Sequence, residues 1–271
     1  MRAASQAELN AAADRWEGVL ADKAAQGNSY AAELFGMVDI LDDSANLRRA
    51  LTDPARSGED KAELVSRIFG QQVSGEVVDL LAGMVRGRWS SDRDLADALA
   101  SLAVTSALAN AEKEGRLLQV ETEVFQLNRL LTSRRELRMA LADRELPAEN
   151  RSALVDRLLA DRVSPETMLL VRRVAQTLRG RTVPQALAEI GELAAARRQR
   201  VVATVTAAIP PTDEQIERLS RVLQEKVGSA VHINIDVDPS VLGGMRVQLG
   251  DDVIDGTIRA RLEQAGRAIR G

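Results

Sequence analysis

Residues 233–262, INIDVDPSVLGGMRVQLGDDVIDGTIRARL, are where the chain stops reading as helix. Ile233, Ile235 and Val237 alternate with Asn234 and Asp236, the two-residue period of a half-buried strand. Asp238-Pro239 ends that strand, because proline has no N–H to give to a sheet. Gly243-Gly244 permits a turn that residues with side chains resist, and Met245, Val247 and Leu249 then alternate as a second strand. Gly250-Asp251-Asp252 reads as a turn, and Asp255-Gly256 leads into a closing helix. Just upstream, VVATVTAAI at 201–209 is β-branched and stops at Pro210-Pro211. Thr212 and Gln215 form a capping box for a helix over 213–227, which Gly228 ends. Residues 201–271 therefore read as strand, helix, strand, strand, helix: a small α/β domain.

Everything before residue 201 is helical in pattern. Leu9, Ala12, Ala13, Trp16, Val19 and Leu20 place an amphipathic helix over 5–26, which Gly27-Asn28-Ser29 should break, with Ser29 capping the next. Tyr30 to Asp43 follows, carrying Leu34, Met37, Val38 and Leu41. Shorter helices are expected at 47–51 and 60–69, then one capped by Ser74 and ended by Arg86-Gly87-Arg88. Ser91 starts a long helix to about Glu114, with Leu95, Leu99, Leu102 and Leu108 on one side. The pattern then repeats. Residues 33–81 align without a gap to 123–171 at an offset of 90, with 16 of 49 positions identical. LRRALTD at 47–53 matches LRMALAD at 137–143, and Arg86-Gly87-Arg88 falls on Arg179-Gly180-Arg181 after a three-residue slip. Pro184 opens the last helix of the second copy. The expected fold is mainly α: two related helical bundles, 1–104 and 105–200, joined by the long helix, then a small α/β domain over 201–271.

The 271 residues are 45% hydrophobic and 28% charged but only 2% aromatic, so the core must be aliphatic and alanine-rich. Cysteine is absent, which excludes disulfides, thiolate metal sites and a cysteine nucleophile. Residues 201–271 hold 8 basic and 10 acidic side chains; the remainder holds 28 and 30, so each part carries −2. Neither is basic enough to make nucleic acid a main partner. No apolar run approaches the roughly 20 residues of a membrane span, and MRAASQAELN has no signal-peptide core. A cytoplasmic protein follows, reaching a membrane only through a partner.

No catalytic constellation is legible. His232 is the one histidine; it sits at the start of a strand without a nucleophile elbow, and reads as a strand-edge residue. Gly243-Gly244 lacks the lysine and helix start of a phosphate loop. Neither a cofactor nor a metal is expected. Arg134-Arg135-Arg138 and Arg197-Arg198-Arg200 lie near helix ends, where the dipole favours them; docking of an acidic partner is the alternative. Trp16 lies in the apolar stripe of the first helix, and Trp89 follows Arg-Gly-Arg as a packing plug or an interface anchor. Leu9, Trp16, Leu20 and Trp89 are the candidates for a partner interface, with core as the competing assignment for the first three. These features describe a binding protein, such as a cytoplasmic scaffold that holds partner helices or peptides.

The stretch from Ile233 through Gly250, with its continuation through Val253-Ile254-Asp255-Gly256 to Arg259 and Arg261, resembles the C-terminal signature of the delta subunit of F-type ATP synthases, whose mitochondrial counterpart is the oligomycin-sensitivity-conferring protein. VVATVTAAIPPTDEQIERL at 201–219 is similar to that family's strand–turn–helix, and Val163-Ser164-Pro165-Glu166-Thr167 to a helix cap in its N-terminal bundle. Asp238, Gly243, Gly244, Gly250, Asp255 and Gly256 carry the signature. Removing one 90-residue period leaves 181 residues, an ordinary length for the family, so the chain resembles the enlarged actinobacterial form with a duplicated bundle. The resemblance implies a non-catalytic peripheral-stalk subunit at the cytoplasmic face of the membrane. Its helical part would bind N-terminal helices of the alpha subunits, its C-terminal part would meet the b-type stalk subunits, and the tie would resist rotor torque.

Overall fold

The computed structural model describes residues 1–143, 145–198, 201–227, 231–238, 241, 244–249 and 252–255. The first half holds α1 (Ala3–Lys23), a 3-10 turn (Ala24–Gln26), α2 (Gly27–Asp43), α3 (Ala45–Thr52), α4 (Gly58–Phe69) and α5 (Gly75–Arg86). Then come α6 (Asp92–Lys113), α7 (Leu117–Ser133), α8 (Arg135–Ala142), α9 (Ala148–Leu159), α10 (Pro165–Gln176) and α11 (Val183–Arg198). The remaining elements are β1 (Val201–Ala207), α12 (Asp213–Val227), β2 (Val231–Val237), β3 (Met245–Leu249) and β4 (Asp252–Asp255). The chain divides into two compact units, 1–198 and 199–271. The fold is mainly α with a small sheet, as the sequence implies.

The bounds of α2, α3, α4 and α5 recur 90 residues later as those of α7, α8, α9 and α10. The hydrogen bonds that fix the helix ends recur with them. Glu33 accepts from the Ser74 N–H at 2.9 Å and hydroxyl at 2.6 Å, and Glu123 accepts from the Ser164 N–H at 3.0 Å and hydroxyl at 2.9 Å. Arg48 donates to the carbonyls of Leu41 and Asp42, as Arg138 does to those of Leu131 and Thr132. Asp53 receives the Ala55 N–H and Asp143 the Glu145 N–H, both at 2.9 Å. These charged groups satisfy backbone atoms that helix ends leave open. They are what the repeated LRRALTD and LRMALAD segments encode.

α6 belongs to both halves. Ser91 caps it, its oxygen accepting from the Arg93 N–H, and Asp92 and Asp94 complement the dipole. Its buried residues run around the helix: Leu95, Ala96, Leu99, Leu102, Ala103, Ala107, Leu108 and Ala111 among them. A helix that is apolar all round lies inside a body rather than on it. It packs on α1, α2 and α3 on one side and on α7, α10 and α11 on the other, so one continuous core fills 1–198. The bundle boundary expected at 104 falls inside this helix.

Two local readings change. Gly27 starts α2 instead of breaking the chain, and Ser29 lies within that helix, not at its cap. The reason is proximity: a Cβ on Gly27 would stand 2.2 Å from the Ser106 carbonyl oxygen of α6, so glycine is there for contact, not for a turn. Ser74 occupies the N-cap of α5, but its hydroxyl makes no capping bond to that helix; it donates to Glu33.

The second unit has strand order β2-β1-β3-β4, with β1 and β2 parallel and the other neighbours antiparallel. Val205, Leu223, Val231 and Val247 form its core, with α12 supplying Leu223 and Leu219. The Thr212–Gln215 capping box is present in both directions. β4 occupies 252–255, where the sequence suggested turn and helix entry; pairing with β3 overrides the low strand propensity of its aspartates. The closing helix expected beyond Gly256 lies outside the described residues.

Candidate functional site

The two halves of the helical unit meet along a seam of arginines. Arg197, near the end of α11, is buried and donates to Glu17 of α1 at 2.8 and 3.0 Å and to Glu112 of α6 at 2.7 Å. Glu17 is buried as well, so each charge replaces the water the other has lost. Arg197 is thus not a solvated dipole partner, as its place in the 197–200 cluster suggested. Arg173 of α10 lies over the Phe35 ring of α2, 4.9 Å from its centroid, and pairs with Asp39 at 2.7 Å. Arg179 adopts φ +47°, beside Gly180 at +81°, and clasps Asp97 of α6 at 2.8 Å and Asp42 of α2. That left-handed backbone is costly for arginine, and the two ion pairs hold it in place.

Glu166, at the start of α10, is fully buried and takes Arg116 on both oxygens at 2.6 and 3.2 Å, with the Asn28 amide at 3.4 Å. Burial pushes its carboxyl up, but the Arg116 hydrogen bonds, its own backbone N–H and the Arg116 charge outweigh this and hold it below the usual carboxylate range. Glu123 is likewise held down: burial opposes ionisation, and the Thr167 and Ser164 donors overcome it.

Of the interface candidates, Trp16 and Leu20 are 1% exposed inside the core. Trp16 donates to Ser106 at 2.8 Å and meets the Tyr30 ring edge-on at 5.3 Å, so it is a core residue of this fold. Leu9 is half-buried against the same core. Trp89 is half-buried and donates to the Met84 carbonyl at 2.8 Å, fastening the end of α5. Asp238 continues from β2, its N–H bonded to Ala207 at 3.0 Å and its carbonyl to the Val241 N–H at 3.1 Å. Gly244 has φ +82°, the left-handed backbone that a glycine accepts. Asp255 closes β4, while Gly243, Gly250 and Gly256 lie outside the described residues. His232 pairs with Val202 along the β1–β2 ladder.

Among the described residues, no group of His, Asp or Glu stands ready to hold a metal, and no helix is long and apolar enough to cross a membrane. What the surface does offer is apolar area. Leu118, Phe125, Leu130, Met139, Leu146 and Leu158 are exposed on the second half of the helical unit. Ile209, Ile235 and Val237 are exposed on the sheet unit, the last two on the edge strand β2. The sequence reading missed the first group, because a core stripe and an exposed stripe share one period.

The chain matches the family described as ATP synthase delta (OSCP) subunit over residues 96–269, from within α6 through the second half and the sheet unit. It is 54% identical over 271 residues to an ATP synthase subunit delta of Beutenbergia cavernae, covering all of both chains. Against the protein of that name in Streptomyces coelicolor it is 46% identical over 269 residues, 99% of this chain and 98% of the other. Against that of Streptomyces griseus it is 42% identical over 271 residues and the whole of each chain. These relatives span the first half as well, so the duplicated length is theirs too. With the family match covering more than half of the residues and full-length relatives well above 30% identity, this chain belongs to the ATP synthase delta (OSCP) subunit family.

Proposed function

We propose that the chain is a connector in the peripheral stalk of an F-type ATP synthase, supplying no catalytic residue of its own. The helical unit holds N-terminal helices of the alpha subunits, the sheet unit meets the b-type stalk subunits, and the chain transmits the reaction to rotor torque at the cytoplasmic face. The observation that carries this reading is the division into two compact units that each expose apolar side chains, Phe125 and Leu118 on one, Ile235 and Val237 on the other. A tie needs two attachment surfaces on separately folded bodies, and exposed apolar patches on otherwise polar surfaces mark such attachments. The reading treats 1–104 and 105–200 as two copies of one bundle sharing α6, and Asp238, Gly244 and Asp255 as shaping the sheet unit.

The test is subunit retention in the purified complex. Removing residues 199–271 should release the b subunits while the helical unit stays on the alpha-containing head. Retention of b, or loss of the head together with b, would overturn the assignment of the two ends. His232→Ala should leave coupled ATP synthesis intact; a large loss with normal assembly would give this chain a chemical role after all.

A further inference from the structure

The chain leaves the helical unit at the end of α11 and passes from there into the sheet unit. Apolar packing holds that end weakly. The buried stripe of α11 runs Val183, Ala186, Leu187, Ile190, Ala194, Arg197. Beyond Ile190 it therefore offers one alanine and a guanidinium, with Leu193 half-buried beside them. The last four carbonyls of a helix have no intrahelical donor, and a terminal turn is the first to open. α6, which holds the matching place in the first copy, is buried from Leu95 to Ala111 and runs on into α7, so its end is not left in this way.

Two arginines supply what the stripe lacks. Arg197 reaches Glu17 of α1 and Glu112 of α6, and Arg198 reaches Glu121 of α7 at 2.8 Å. The end of α11 is thereby fixed to three helices, of which α1 belongs to the first half and α6 to both. The ties differ in depth. The Arg197 and Glu17 side chains are 10% and 6% exposed, those of Arg198 and Glu121 48% and 24%. Opening the inner tie strands buried charge, whereas water screens the outer one. A pull arriving from residue 199 would unwind a loose helix end one hydrogen bond at a time. With Arg197 in place, the same pull must break contacts on three helices together. We propose that Arg197 positions the exit of α11 against force, passing a pull from the sheet unit to both halves of the helical unit, with Arg198 as a weaker outer tie. The first half then has a task of its own: its α1 holds the exit of the second. The proposal rests on the connector reading for the source of the pull, while the clamp is a property of the free chain and is tested there.

Cysteine is absent, so two introduced cysteines give unique handles for optical tweezers on the intact chain. One replaces the exposed Ala55 between α3 and α4. The other replaces Gln199, the first residue after α11, or, as a control, the exposed Ser133 at the end of α7, which leaves α11 out of the loaded path. At a fixed force, Arg197→Met should speed the first opening at least about tenfold with the handle at 199 and less than about threefold with it at 133, because forced opening follows the unfolding rate along the loaded path. The early step should lengthen the chain by no more than about 55 Å, the 16 residues of α11 drawn out straight. With the handle at 199, Arg197→Lys, which keeps the charge, should fall between Arg197→Met and the native chain, and Arg198→Ala should stay below about threefold. Equal acceleration from both handles would make Arg197 an ordinary stabilising residue and overturn the proposal, as would no acceleration from the handle at 199. Neither result depends on which subunits the chain joins, which subunit retention tests separately.

Discussion

The two halves of the helical unit are the same construction put to different ends. Both keep the carboxylate that anchors the second-last helix of the copy, Glu33 on Ser74 and Glu123 on Ser164. Both keep the arginine that ties off two carbonyls, Arg48 and Arg138. They differ in what they bury. α2 buries Tyr30, Leu34, Phe35, Met37, Val38 and Leu41, whereas α7 buries Leu117, Val120, Val124 and Leu131 and turns Phe125 outward. Glu76 and Glu166 are also equivalent, yet Glu76 makes an exposed pair with Lys23 while Glu166 is enclosed with Arg116 and Asn28. The hydrogen bonds at helix ends persist because the backbone needs them in any copy. The faces diverge: α10 lies over that of the first half through Arg173, while Phe125 of the second half stays exposed.

The difference should be largest at the paired phenylalanines. Phe35→Ala removes a buried ring from under Arg173 and should cost about 4 kcal/mol in urea denaturation, while Phe125→Ala should stay within about 0.5 kcal/mol. Similar losses at both sites would break the distinction between a closed half and an open one. Next in size is the seam. Arg197→Ala leaves Glu17 buried without its arginine and should destabilise the chain by about 3 kcal/mol, with Arg197→Met costing clearly less. If the two variants are equally damaging, packing rather than charge joins α1 to α11.

Smaller effects test what the halves share. Glu33→Gln and Glu123→Gln each weaken charge-assisted bonds to a serine and should each cost about 1.5 kcal/mol. A difference above about 1 kcal/mol between them would mean that the anchor has been reassigned in one copy. The smallest effect is set by pH. The Glu166 and Glu123 carboxyls titrate below their ordinary value, so their contribution is present above about pH 4.3 and is lost as pH falls through the lower folded values. Amide protection factors in α10 and α7 should fall below that pH before those in α5 and α2, where the carboxyl of Glu76 is also held down by Lys23 but the pair is exposed and weakly coupled to folding. The reverse order would place the acid-sensitive contacts in the first half.

Much of the fold was legible because it is local. Leu34, Met37, Val38 and Leu41 declare α2 by spacing, and the 90-residue offset transfers each helix of the first copy to the second. Gly27 misled because a glycine that permits close approach to Ser106 is identical in sequence to one that ends a helix. β4 was hidden in an acidic tetrapeptide that only its partner strand makes extended. The interface was the least legible part. Arg197 finds Glu17 across 180 residues and Arg173 finds Phe35 across 138, separations over which no periodicity speaks. Phe125 and Phe35 hold the same place in their own helices, so the repeat does not tell the exposed one from the buried one.

α6 closes the first half and opens the second, so two six-helix units are built with one helix in common. That sharing fixes where the duplicated copies were free to drift. A substitution on α7 is felt by one half, and its outward face can carry Arg129 and Thr132 where α2 carries Asp39 and Asp42 without disturbing the other. A substitution on α6 is felt twice. Its alanines at 96, 98, 103, 107 and 111 are buried, and a larger side chain at any of them would press on whichever half it faces while the same helix still has to fit the other. After the duplication, α6 could change only in ways that both halves accepted.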